Sequence, residues 1–202
     1  MNMFFEGNTD IVDSLRMKDI LGKVSDKRGK IARMIDSGQL IALRRGLYAT
    51  RRDLNPLCLA ASIYGPSYIS FETALSYYGL IPEAVYEITS ATLKRPKQFE
   101  CVFGSYRYHK VRQEVYPIGI EMVTATGTPF LIASPTKALC DRIAREARVR
   151  SMRDIRHWAE WMRLDSEMKI DYATIIACAS GYGSPAVRWL QRTVEKHGRL
   201  RP

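Results

Sequence analysis

Arg44 and Arg45 stand side by side before Gly46 in the stretch SDKRGKIARMIDSGQLIALRRGLYAT, residues 25–50. Lys27, Arg28, Lys30 and Arg33 precede them in the same stretch. A guanidinium grips phosphate through parallel N–H donors, and in a major groove it pairs with the O6 and N7 acceptors of guanine. The chemistry this spacing points to is recognition of a polyanion, with phosphate contacts setting position and base-edge contacts setting sequence. A solvated amphipathic helix beside an ordinary hairpin is the competing reading of the same residues.

Other constellations carry less. Lys137 and Asp141 are four apart, one turn along a helix, where a surface ion pair contributes a few tenths of a kcal/mol and the Lys-before-Asp order is the weaker one. Arg142, Arg145, Arg148, Arg150, Arg153 and Arg156 form a basic run relieved by Glu146 and Asp154. It reads equally as a solvated helix pair or as a second electrostatic surface. His109, His157 and His197 are isolated, with no partner at metal-ligand spacing. Gly104-Ser105 could open a nucleotidyltransferase site, but the Asp-x-Asp pair that would hold Mg²⁺ is missing; the nearest carboxylates downstream are Glu114 and a lone Glu121. With no phosphate loop and no nucleophile elbow either, the sequence predicts a protein that is not an enzyme and uses no cofactor or metal.

The totals agree with a polyanionic partner. The chain of 202 residues has 31 Lys and Arg against 21 Asp and Glu, a formal charge of +10 and a pI near 9.6. The excess is spread, with 11 Lys and Arg against 7 Asp and Glu over residues 1–55. Cys58, Cys101, Cys140 and Cys178 form no close pair, and all but Cys101 lie in apolar helical patterns, which suits reduced core thiols in a cytoplasmic protein. The opening MNMFFEGNTD has no positive leader region and no apolar run approaches a membrane span, so neither secretion nor membrane insertion is expected.

The elements that must position the cations follow from periodicity. After a short tail, residues 10–24 suit one broken helix or two short ones. Ser25 can cap a helix over 26–37, whose stripe is Ile31, Met34 and Ile35, with Gly38 as its stop. The four cations lie away from that stripe, and Gly29 would permit close approach to a sugar-phosphate backbone. QLIAL and LYAT read as strands around the arginine turn. Helices followed by a two-stranded ribbon are the order of a winged helix-turn-helix, with the last helix in the major groove and the ribbon tip over phosphates or the minor groove. RRDLNP reads as a linker; short helices come next near 57–64 and 70–79, then four strands, then helices from Ser134 to the C-terminal region.

Three segments, GQLIALRRGLYAT, YISFETALSYYGLI and IASPTKALCDRI, resemble in order and approximate spacing the AbiEi-type antitoxins of type IV toxin–antitoxin systems, over about residues 12–145. That resemblance implies a winged helix binding inverted repeats in its own promoter, and a C-terminal α/β domain countering a separately encoded nucleotidyltransferase toxin. It departs at Thr136, where the family often has Glu; Lys137 and Asp141 match.

The expectation is therefore an α+β protein: a winged helix over 1–52, then a larger mixed α/β domain over 53–202 with a small, mostly antiparallel sheet and C-terminal helices. Double-stranded DNA is the expected partner of Lys27, Arg28, Lys30, Arg33, Arg44 and Arg45. A cognate toxin is the expected partner of Lys137, Asp141 and Arg145. The alternatives are a toxin inhibitor that does not bind DNA and a stand-alone repressor without a toxin.

Overall fold

Asp13 ends a short strand, β1 (Ile11–Asp13), and its carboxylate caps the next helix, α1 (Ser14–Leu21), accepting from the Arg16 N–H at 2.8 Å. The computed structural model describes residues 10–125, 127–198 and 200; the tail expected over residues 1–9 lies outside them. Helix α2 (Lys27–Asp36) comes next, then strands β2 (Ile41–Arg44) and β3 (Leu47–Ala49). The three strands form an antiparallel sheet in the order β1-β3-β2. Residues 10–24 thus give one strand and one helix, because Ile11 and Val12 pair with Ala49 and Tyr48 across the sheet. Two adjacent apolar residues fit either period, and the free edge of β3 decides between them.

Val12, Met17, Leu21, Met34 and Leu40 close a small core under the two helices. The hairpin faces elsewhere. Ile41, Leu43, Leu47 and Ala49 are buried in the larger core, shared with the rest of the chain. Alternation along β2 puts Ile41 and Leu43 inward and leaves Ala42 and Arg44 exposed.

The remainder is mixed α/β. Helix α3 (Pro56–Ile63) starts on an Asn55 cap with Pro56 in its first turn. Strand β4 (Ser67–Ile69) and helix α4 (Phe71–Tyr77) follow. Next come β5 (Glu87–Thr92), β6 (Lys97–Cys101), β7 (Gly104–Lys110), β8 (Ile120–Ala125) and β9 (Thr128–Ala133). Four helices complete the described chain: α5 (Pro135–Ile143), α6 (Met152–Trp161), α7 (Tyr172–Tyr182) and α8 (Pro185–His197).

The second sheet has the order β6-β7-β5-β4-β9-β8. Its β4–β9 and β5–β7 pairs are parallel, and the other three are antiparallel. It is therefore larger and more mixed than expected. Strand β4 is three buried residues with no alternation to betray it, and β6 begins in a run of lysine, arginine and proline that reads as a connection. No described helix is long and apolar enough to cross a membrane.

Candidate nucleic-acid interface

Helix α2 is capped by Asp26, one residue later than expected, because the Asp26 carboxylate accepts the Gly29 N–H at 2.8 Å. A Cβ at Gly29 would lie 1.9 Å from the Asp26 carboxylate as it stands, so a side chain there would make that flexible carboxylate swing aside.

The cations of α2 divide by face. Met34 is buried, Ile31 and Lys27 and Lys30 are half-buried, as is Ile35. Lys27 sits four and seven residues before Ile31 and Met34, so helical geometry puts it on the edge of the stripe. Its Nζ donates to the Lys18 carbonyl at 3.4 Å, placing a cation at the C-terminal end of α1 where the helix dipole favours one. Lys30 has an interaction of its own. Arg28 and Arg33 are exposed and, among the described residues, make no ion pair.

The two arginines of the hairpin also part company. Arg44 Nε donates to the Ile63 carbonyl at the end of α3 at 2.6 Å, and its Nη1 donates to the Arg45 carbonyl at 3.2 Å. Arg44 therefore ties the hairpin to the larger core. Arg45 is exposed, with no ion pair among the described residues. The turn beneath it is fixed. Gly46 takes φ +78, which favours glycine, and its carbonyl accepts from Ser14 N–H at 2.9 Å and Ser14 Oγ at 3.1 Å. A Cβ there would meet Ser14 Oγ at 2.4 Å. Arg45 is presented from a short, clamped tip.

Lys137 and Asp141 are not at the surface. Both are buried, at 0% and 1% exposure, with Nζ and Oδ1 2.5 Å apart. Asp141 also accepts from Tyr182 Oη at 2.6 Å, Ser70 Oγ at 2.7 Å and Tyr68 Oη at 3.0 Å. The Lys137 ammonium lies 5.2 and 5.9 Å from the Tyr182 and Tyr68 rings. The Tyr-Ile-Ser segment and the Pro-x-Lys-Ala-Leu-x-Asp helix, far apart in sequence, thus converge on one carboxylate. Burial and the Asp141 charge hold both tyrosine hydroxyls well above their usual range, so they remain donors. Beside them lie the buried Cys140 and Cys178 thiols; Cys178 and burial push Cys140 up, whereas Cys140 and then Lys137 pull Cys178 down. Thr136 is buried as well, its hydroxyl accepting the Asp171 N–H at 2.9 Å.

Sequence reasoning did not join Tyr68, Ser70 and Tyr182 to this pair. The i, i+2 spacing of Tyr68 and Ser70, which puts both on one side of an extended segment, was the available signal. Arg145, expected beside the pair, is exposed and stacks over the Phe71 ring at 5.8 Å. Gly104-Ser105 and Glu121 do not converge either. Strands β7 and β8 stand four spacings apart, about 19 Å, and Glu121 accepts a hydrogen bond from Tyr78 Oη at 3.1 Å. Among the described residues no three His, Cys, Asp or Glu side chains group as a metal would need.

No protein-family model and no curated protein matches the chain.

Proposed function

We propose that the protein is a DNA-binding repressor of its own operon, with residues 10–50 acting as a winged helix-turn-helix. The observation that carries this reading is that Arg28, Arg33 and Arg45 are exposed on two neighbouring elements with no carboxylate paired to them among the described residues. An exposed guanidinium left unpaired suits a phosphate or a guanine edge. Arg28 and Arg33 serve as groove contacts and Arg45 as the wing contact. Arg44 and Lys27 hold those elements in place, and Lys30 stands at the margin. The order strand, helix, helix, hairpin supports the assignment, and the charge of +10 favours capture of a duplex at low salt.

The resemblance to AbiEi-type antitoxins supports a second role, neutralising a nucleotidyltransferase toxin encoded nearby in a cytoplasmic, non-catalytic system. Since Lys137 and Asp141 are buried, that role falls to exposed parts of the larger unit. A stand-alone repressor is the reading if no toxin gene adjoins. A mobility-shift assay with the DNA upstream of the operon tests the primary claim: a discrete complex is expected, and no complex at any salt concentration removes the reading. Co-expression of the full chain with the neighbouring gene product tests the second; failure to restore growth removes it while leaving DNA binding intact.

A further inference from the structure

Three clefts on the larger unit join into one groove. The first, of about 370 Å³, lies under Trp161 and is lined by Ile81, Val85 and Met162. It shares Glu72, Val85 and Arg142 with the second, of about 510 Å³, which holds Arg107, His109 and Tyr86. The second shares Arg145 and Glu146 with the third, of about 530 Å³, which ends at Arg150 and Trp189. Aromatic rings thus recur along the path, and two of them are far more exposed than packing requires: Tyr86 at 94% and Trp161 at 70%. At the far end Arg192 stacks on Trp189 at 4.8 Å.

The lining holds four arginines and four glutamates, and their pairing leaves two guanidinium groups open. Every carboxylate lining the groove is already ion-paired: Glu83 with Arg163, Glu87 with Arg107, and Glu72 and Glu146 both with Arg142. Among the described residues Arg145 and Arg150 have no such partner, although Asp154 accepts the Arg150 backbone N–H. Arg145 lies over Phe71 and beside His109, which burial and the Arg145 charge keep neutral down to about 4. The free positive charge in the middle of the groove is therefore a guanidinium with a fixed platform.

We infer that this groove binds single-stranded nucleic acid, with Trp161 and Tyr86 stacking on bases and Arg145 and Arg150 holding the phosphates further along the path. Exposed rings followed by free guanidinium groups are an arrangement that grips unpaired bases, since every base presents a π-face and a duplex hides it. An acidic polypeptide would satisfy the two arginines but leave the rings unused. The site is separate from the duplex-binding residues and stands or falls without them.

The test uses the full chain and a labelled oligouridylate of about 12 nucleotides, within the range such grooves cover. Fluorescence anisotropy should show binding that tightens as salt falls, with quenching of tryptophan emission. Replacing Tyr86→Ala or Trp161→Ala should weaken binding roughly 5- to 100-fold, while Trp161→Phe, which keeps a ring, should retain most of it. The pair Arg145→Ala with Arg150→Ala should lower the salt slope, whereas Arg28→Ala with Arg45→Ala should leave single-strand affinity unchanged. Absence of binding at low salt would overturn the inference. So would indifference to both ring replacements, or displacement by polyglutamate as readily as by unlabelled oligouridylate, which would mark the surface as one for acidic protein.

Discussion

Asp141 takes four hydrogen bonds in a site closed to water: three from hydroxyls and one from an ammonium. Desolvating two charges costs several kcal/mol each, and only this density of donors offsets it. Asp141→Asn should therefore destabilise the chain by roughly 3–5 kcal/mol in urea unfolding, because the Lys137 ammonium is left buried without a countercharge. Lys137→Met should cost less, since three hydroxyl donors still face the carboxylate. If both changes cost under about 1 kcal/mol, as surface pairs do, the network is not what joins β4, α5 and α7. His109 gives a second test. Its pKa is depressed to about 4 by burial and then by Arg145, so below about 6.5 the unfolded chain takes up a proton that the folded chain refuses. Stability should fall as pH drops from about 6.5 to 4, and His109→Gln should remove that part of the slope in a series of thermal melts. An unchanged slope would mean that His109 is solvated. Residue spacing showed that Lys137 and Asp141 share a helix face. It could not show that the face is buried, because that depends on Tyr68 and Tyr182 arriving from other elements.

Among the elements, α2 and the hairpin illustrate what pattern does and does not reveal. The stripe Ile31, Met34 and Ile35 and the two strands were legible because one side of each is buried. The roles of the cations were not, since a lysine at the stripe's edge and one on the open face look alike until a neighbour such as the Lys18 carbonyl is in place. Gly29→Ala should raise the melting temperature, because alanine has the better helix propensity and the flexible Asp26 carboxylate can swing aside and still cap; a fall would show that the cap needs the glycine. The adjacent arginines should separate cleanly. Arg44→Ala removes the tie to Ile63 and should act on stability, by roughly 0.5–1.5 kcal/mol. Arg45→Ala should leave the melting curve alone and weaken duplex binding. Equal effects of the two on DNA affinity with no loss of stability would contradict the division of labour.

For the whole molecule, the hairpin is the seam. Its apolar side belongs to the larger core while β3 pairs with β1, so the cationic elements are mounted on the sheet-containing body. Periodicity conveyed a helix and a hairpin early in the chain and a mixed α/β remainder behind them. The six-strand order escaped them, because parallel neighbours such as β4 and β9 are joined through long intervening chain that no local pattern encodes. The central claim is that three guanidinium groups, Arg28, Arg33 and Arg45, release counterions from a duplex together. It is tested most directly by the salt dependence of binding to the upstream DNA, measured by anisotropy for the natural chain and for the triple alanine variant. The log–log plot should be linear, with a slope that falls by roughly 2–3 in the variant, at about 0.9 for each phosphate no longer neutralised. A slope that the three replacements leave unchanged, or no binding at low salt, would contradict it.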